Sequence, residues 1–266
     1  MPEKSFKDLV QLMARLRGEG GCPWDREQTP DSLKPYLIEE AYEVIEAIEA
    51  GADEKVREEL GDLLLQVVFH AQIAAEEGRY TVWEVIREVH EKLVRRHPHV
   101  FGDVLAETSE KVLKNWEAIK QSEKGGRSVL DGVPAALPAL LKAQRVQTKV
   151  GRVGVDWEAA HGALEKVQEE FEEFDQARQS GDQEKMEREF GDLLFALVSA
   201  ARHLGIDAEA SLRLSTSKFM ERFRYIESSL SRRGLTPSQA DGATLDALWE
   251  EAKRAAQRRA GLDLDE

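Results

Sequence analysis

Leu60, Leu63, Leu64, Val67, Val68 and Ala71 fall at i, i+3, i+4, i+7, i+8 and i+11, the spacing of one face of an α-helix. Phe190, Leu193, Leu194, Leu197, Val198 and Ala201 repeat that spacing further along the chain, and Leu37, Ala41, Val44 and Ile48 form another such stripe. Thr81, followed three residues later by Glu84, has the form of a capping box at the start of a helix. No run alternates β-branched residues in the manner of a strand. The pattern predicts an all-α chain with helices over 5–18, 31–50, 54–78, 82–96, 109–121, 136–149, 158–179, 182–204, 207–231 and 244–259. Leu63–Phe69 and Leu193–Val198 are apolar over more than one stripe, which predicts burial on several sides and a homodimer or higher oligomer.

The polar positions repeat along with the apolar ones. Glu39, Glu40, Glu43, Glu59 and Asp62 recur at one constant offset as Glu169, Glu170, Glu173, Glu189 and Asp192, and Lys55 recurs as Lys185. Downstream, Lys92 and Arg96 reappear as Lys218 and Arg222, and the WEAIK beginning at Trp116 reappears as the WEEAK beginning at Trp249. CPWD at 22–25 has a fainter echo in GVDW at 154–157. An acidic chain supplies one such pair by chance, but not a whole ordered set. The sequence therefore reads as a tandem duplication. Its joint is the polar, glycine-containing segment 120–134, giving one copy over 1–125 and a second over 126–266.

Composition narrows what the copies can do. The 266 residues carry a formal net charge of −14, opposite in sign to what general nucleic-acid binding requires. No long uncharged apolar run suggests a membrane span, and the charged N-terminal stretch is unlike a signal peptide. Cys22 is the one cysteine, so an internal disulfide is excluded and a reducing, cytoplasmic setting is expected.

The acids carry the chemistry. Residues three and four apart share a helix face, so Glu39 or Glu40 with Glu43 makes one cluster and Glu59 with Asp62 another. A turn through Gly51 lets the two helices run antiparallel and bring the carboxylates to one level. Two unit charges ~4 Å apart repel by ~4 kcal/mol at an effective dielectric near 20, so protonation or a cation must relieve the cluster. All-oxygen ligands favour Mg²⁺ or Mn²⁺ over zinc. Taken singly, each acidic run reads as solvated helix surface; duplication of the whole set argues against that. A di-iron bundle would want Glu-x-x-His pairs, whereas the second element here ends in Asp62 and Asp192. Carboxylates with converging Lys and Arg are the parts needed to grip a polyphosphate. Trp116 and Trp249 suit either stacking on a base or filling a core.

At these residues the chain resembles the MazG family of nucleoside triphosphate pyrophosphohydrolases. The resemblance rests on GCPWDREQT at 21–29, LKPYLIEEAYEV at 33–44, EELGDLLLQVVFHA at 58–71, RRHPHVFGD at 95–103 and NWEAIK at 115–120. The second copy matches in EEFEEF at 169–174, EFGDLLFALVSAARHL at 189–204, KFMERF at 218–223 and LWEEAK at 248–253. It implies tandem helical domains whose four-helix-bundle cores are completed by dimerisation. It also implies Mg²⁺-dependent cleavage of NTPs and dNTPs to monophosphate and pyrophosphate, in nucleotide-pool cleaning or stress regulation. Carried over to this sequence, Glu170, Glu173, Glu189 and Asp192 would ligate metal and Glu169 would assist. Lys185, Lys218 and Arg222 would hold phosphates, and Trp249 and Lys253 would lie by the nucleotide. Glu39, Glu40, Glu43, Glu59 and Asp62 would form a second metal site in the first copy. The family's Asn two residues before the motif lysine is Thr216 here, and His90 in the first copy. The competing readings are a nucleotide-sensing or partner-binding module with little turnover, and a purely structural helical dimer. Pro98 is expected to cut the first copy's basic helix short, and the second copy's is expected to run past Tyr225.

Overall fold

The computed structural model describes residues 4–123 and 128–259, and among them every regular element is helical, as the pattern predicts. The chain divides into two compact units, Met1–Glu123 and Lys124–Glu266. Among the described residues no helix is long and apolar enough to cross a membrane.

The first unit holds α1 (Phe6–Arg17), α2 (Pro23–Glu27), α3 (Pro30–Glu49), α4 (Asp53–Glu76), α5 (Val82–Arg96), α6 (Pro98–Phe101) and α7 (Ser109–Glu123). α3 and α4 form its central hairpin. The turn between them passes through Gly51 at φ +64°, the left-handed region that glycine enters without steric cost. Met13 from α1, Leu33 from α3, and Val68, Phe69 and Ile73 from α4 make its core. Arg17 joins α1 to the end of α4 through Glu76, 2.8 Å away, while its guanidinium lies over the Phe69 ring. Thr81 and Glu84 form the expected capping box at the start of α5. α5 stops at Arg96, and His97 before Pro98 has left the helical region at φ −119°, ψ 56°.

The second unit holds α8 (Ala139–Gly151), α9 (Ala160–Ser180), α10 (Gln183–His203), α11 (Ala208–Ser231) and α12 (Gly242–Arg259). Here α9 and α10 make the hairpin, turned by Gly181 at φ +74° and restarted by Asp182, whose carboxylate caps the Lys185 amide. α8 packs on α10, and α11 packs on α12 through Ile226, Leu230 and Leu248. α11 runs uninterrupted to Ser231, well past Tyr225.

Two sequence expectations need correction. α8 begins at Ala139 rather than 136, because Pro138 holds the chain extended at ψ 143° before the first helical turn. α2 and α6 were not expected, since five and four residues are too few to display a helical period. The central helices are buried on one side only within the chain. Leu64, Val67, Leu194 and Leu197 each remain about two-fifths or more exposed, at 41%, 41%, 39% and 46%.

At the end of the first unit Glu123 accepts hydrogen bonds from Arg95 and Arg96 at 2.6 Å, which hold its carboxyl down at about 2 from an ordinary 4.5. A depressed carboxylate stabilises the fold above its unfolded pKa and loses that contribution as pH falls through the folded one. The stability gap between wild type and Glu123→Gln should be full at neutral pH, shrink below about pH 4.5 and close near pH 2. Urea melts across that range check it, and a gap that survives at pH 2 would contradict the ion-pair account.

Candidate metal centres and their basic surroundings

Each hairpin gathers three glutamates. In the first unit Glu40 and Glu43 of α3 meet Glu59 of α4, and in the second Glu170 and Glu173 of α9 meet Glu189 of α10. Within each trio one carboxylate oxygen per residue lies within 4.8 Å of the other two. The i, i+3 spacing places two acids on one turn of the first helix, and the glycine turn returns the third at the same level. Glu39 and Glu169, one residue earlier, are exposed and lie outside the trios, though Glu169 shares the Lys166 ammonium with Glu170. Asp62 and Asp192 also lie outside the trios. Asp62 is close enough to Glu40 to act on it electrostatically, whereas Asp192 is exposed.

The crowding leaves physical marks. Burial, followed by the charges of Asp62, Glu43 and Glu59, pushes the Glu40 carboxyl up. In the second unit Glu170 is only 6% exposed, and its Oε2 is buried with no hydrogen-bond partner. An unpaired buried carboxylate oxygen beside two further carboxylates is the environment a cation relieves. The donors are all oxygen, so the set fits Mg²⁺ or Mn²⁺.

One lysine partners each trio, but from different helices. Lys55 of α4 sits 2.6 Å from Glu59 and 3.3 Å from Glu58, and these acids raise its ammonium to about 12. The offset nominates Lys185 for the same role, yet among the described residues Lys185 makes no ion pair with Glu189. Lys166 of α9 takes the role instead, 2.7 Å from both Glu169 and Glu170, and its ammonium is shifted upward by them. Sequence comparison between the copies missed Lys166 because it has no counterpart at the repeat offset, where Tyr36 stands. Its signal was purely local: a lysine three and four residues before a Glu pair on one helix.

The basic helix is arranged alike in both units. Arg96 lies over Trp116 with its guanidinium carbon 5.4 Å from the ring centroid, and Arg222 lies over Trp249 at 5.5 Å. Trp249 also meets Phe219 at 5.3 Å and borders the Leu248 core. The difference lies in what else holds the arginine. Glu123 ties up Arg96, whereas Arg222 makes no side-chain ion pair among the described residues. Lys218 is exposed, and Lys253 pairs with Glu250 at 2.7 Å. Thr216 turns its hydroxyl back onto the Leu212 carbonyl of its own helix at 2.9 Å. No hydrogen bond or ion pair among the described residues links Lys218, Arg222, Trp249 or Lys253 to the Glu170 trio.

Comparison with known proteins agrees with this division. The model of the MazG nucleotide pyrophosphohydrolase domain matches residues 28–101 and again 159–226, each match enclosing one acidic hairpin. A Thermotoga maritima protein named nucleoside triphosphate pyrophosphohydrolase/pyrophosphatase MazG is 48% identical over 250 residues, covering 93% of this chain and 95% of the relative. An Escherichia coli K12 nucleoside triphosphate pyrophosphohydrolase is 47% identical over 252 residues, 92% of this chain and 96% of its own length. A Mycobacterium tuberculosis protein of the same name is 34% identical, matching 92% of this chain and 66% of itself. Two domain matches over two glutamate hairpins, with near full-length relatives, place the chain in the MazG family of nucleotide pyrophosphohydrolases.

Proposed function

We propose that the protein hydrolyses nucleoside triphosphates to the monophosphate and pyrophosphate, with the second copy carrying most of the turnover. The observation that carries this reading is the Glu170, Glu173 and Glu189 trio, with one carboxylate oxygen buried and unpaired. Relatives bearing that activity in their names match nearly the whole chain. The two copies are taken as 1–125 and 126–266.

The three glutamates, with Asp192 one turn beyond Glu189, would hold Mg²⁺. When bound, that ion neutralises phosphate charge and lowers the pKa of a water. Glu169, exposed beside the trio, would take the proton as water attacks the α-phosphorus in line and the bond from that phosphorus to the α–β bridging oxygen breaks. Lys185, Lys218 and Arg222 stabilise the charge that develops on departing pyrophosphate. Trp249 holds the Arg222 guanidinium in place from below, so Arg222 meets phosphate already oriented. Lys253, one turn after Trp249, extends the basic surface. Water, nucleotide and products balance, with one proton released.

The first copy keeps a carboxylate trio, and Glu39, Glu40, Glu43, Glu59 and Asp62 make it a second metal site. Its arginine, however, is already bound to Glu123, and its basic helix ends at Arg96, two residues before Pro98. Both features favour a supporting or regulatory role there.

Assembly follows from the uncovered apolar faces. Phe190, Leu194 and Leu197 on α10 and Leu60, Leu64 and Val67 on α4 are 39–50% exposed, beside the acidic clusters. Large contiguous apolar faces mark interfaces, and a second copy supplies an identical face to cover them.

Incubation with ATP and Mg²⁺ should yield AMP and pyrophosphate, and EDTA should abolish the reaction; ADP with orthophosphate as main products would refute it. Light scattering should give a homodimer or larger assembly, and a concentration-independent monomer would remove the argument from the apolar faces. Glu173→Ala should lower kcat at least ~10²-fold, in line with loss of one electrostatic stabiliser, while Glu43→Ala costs far less. A larger loss in Glu43→Ala, with both variants folded, would move the active site to the first copy.

A further inference from the structure

The two acidic hairpins differ at one inner position beside the trios. Gln66 of α4 lies seven residues after Glu59 and four after Asp62, on the helix face that carries those acids. The constant offset of the repeat places Ala196 of α10 at the same position in the second unit. Both residues are buried, at 7% and 6% exposure. The exchange of an amide for a methyl group therefore bears on the interior of the hairpin and not on its surface.

What the acids meet at that position differs accordingly. The Gln66 side chain hydrogen-bonds the Glu40 carboxylate. An ionised carboxylate only accepts, so the amide nitrogen is the donor. Gln66 Oε1 is left buried with no partner. A buried amide that leaves its own oxygen unsatisfied is a costly residue to keep, and the contact it gains is the one to Glu40. In the second unit Lys166 pairs with Oε1 of Glu170 at 2.7 Å. Ala196 has no side-chain donor to offer, and Glu170 Oε2 is buried without a hydrogen-bond partner. Glu40 and Glu170 hold equivalent places in their trios, so the same carboxylate receives an amide in one copy and lacks it in the other.

That difference changes what a cation gains on arrival. A buried carboxylate oxygen with no donor has lost its water and gained nothing in return, so an ion supplies the whole of its missing partner. A carboxylate that already accepts from an amide has part of its charge offset, and an ion adds less there.

We propose that the residue at this position sets how strongly each trio binds a divalent cation: Gln66 partly stands in for the ion in the first copy, and Ala196 leaves the second copy to depend on it. The inference rests on the reading of both trios as metal sites. Gln66 is a positioning residue in this account, since it acts through Glu40. Mn²⁺ is the probe, titrated into the full-length protein and followed by the EPR signal of the free aquo ion. Wild type should bind one Mn²⁺ tightly and a second more weakly. Glu173→Ala should remove the tight site and Glu43→Ala the weak one, which assigns them. Gln66→Met keeps the side chain's length without its amide. It should tighten the weak site about tenfold, the scale on which outer-shell partners act on metal affinity, and leave the tight site as it was. Ala196→Gln should weaken the tight site by a similar factor, and Gln66→Met decides the matter if that larger residue does not fold. A merely structural role for Gln66 would move the melting temperature and neither affinity. Two sites of equal affinity in the wild type, or an unchanged or weaker first site in folded Gln66→Met, overturn the inference. Wild type that binds no Mn²⁺ removes the metal reading along with it, whereas Mn²⁺ binding that ignores Gln66→Met removes this inference alone.

Discussion

Three like charges drawn to one level of a helix hairpin are the constraint around which each unit is organised. Their mutual repulsion is of the order of kcal/mol per pair at protein dielectric, and it grows as water is excluded. Glu59 and Glu170 are nevertheless almost wholly buried, at 3% and 6%. The fold sustains them with a lysine at 2.6–2.7 Å in each copy and a short glycine turn that fixes the helix register. In the first unit the residual strain appears as a Glu40 carboxyl pushed upward. In the second it appears as a buried oxygen without a partner. A structural helical dimer has no need of either arrangement.

The two copies solve the same electrostatic problem with opposite geometry. In the first, the most buried acid stands on α4 and its lysine comes from α4. In the second, both stand on α9. Among the described residues of the second unit Lys185 and Arg222 make no side-chain ion pair, although the Arg222 charge reaches Glu250, while the first unit commits Arg96 to Glu123. Free basic groups beside a metal cluster are what a triphosphate requires, and committed ones are what a scaffold tolerates. Duplication followed by divergence of the pairing partners, more than loss of the acids themselves, separates the copies.

Much of this was legible beforehand. A 3.6-residue period is local, so Leu60 to Ala71 and Phe190 to Ala201 announced α4 and α10 within one or two residues at each end. Pro98 announced the end of α5 because proline's steric demand is also local. The i, i+3 acids announced shared helix faces, and their repetition announced a cluster of glutamates in each copy.

Tertiary structure decided the rest, because it depends on groups far apart in the chain. Which glutamates meet was settled by helix rotation in the hairpin, which brings Glu40 and Glu170 inward and turns Glu39 and Glu169 out. The pairing of Lys166 with Glu169 and Glu170 has no counterpart at the repeat offset. The link from Arg96 to Glu123 spans 27 residues, and that from Asp156 to Arg202 spans 46; neither leaves a periodic trace. The sequence by itself determined the helices, their duplication and the chemical type of the site, since each follows from near-neighbour sterics and residue chemistry. Packing alone determined which charges are paired and which are left free.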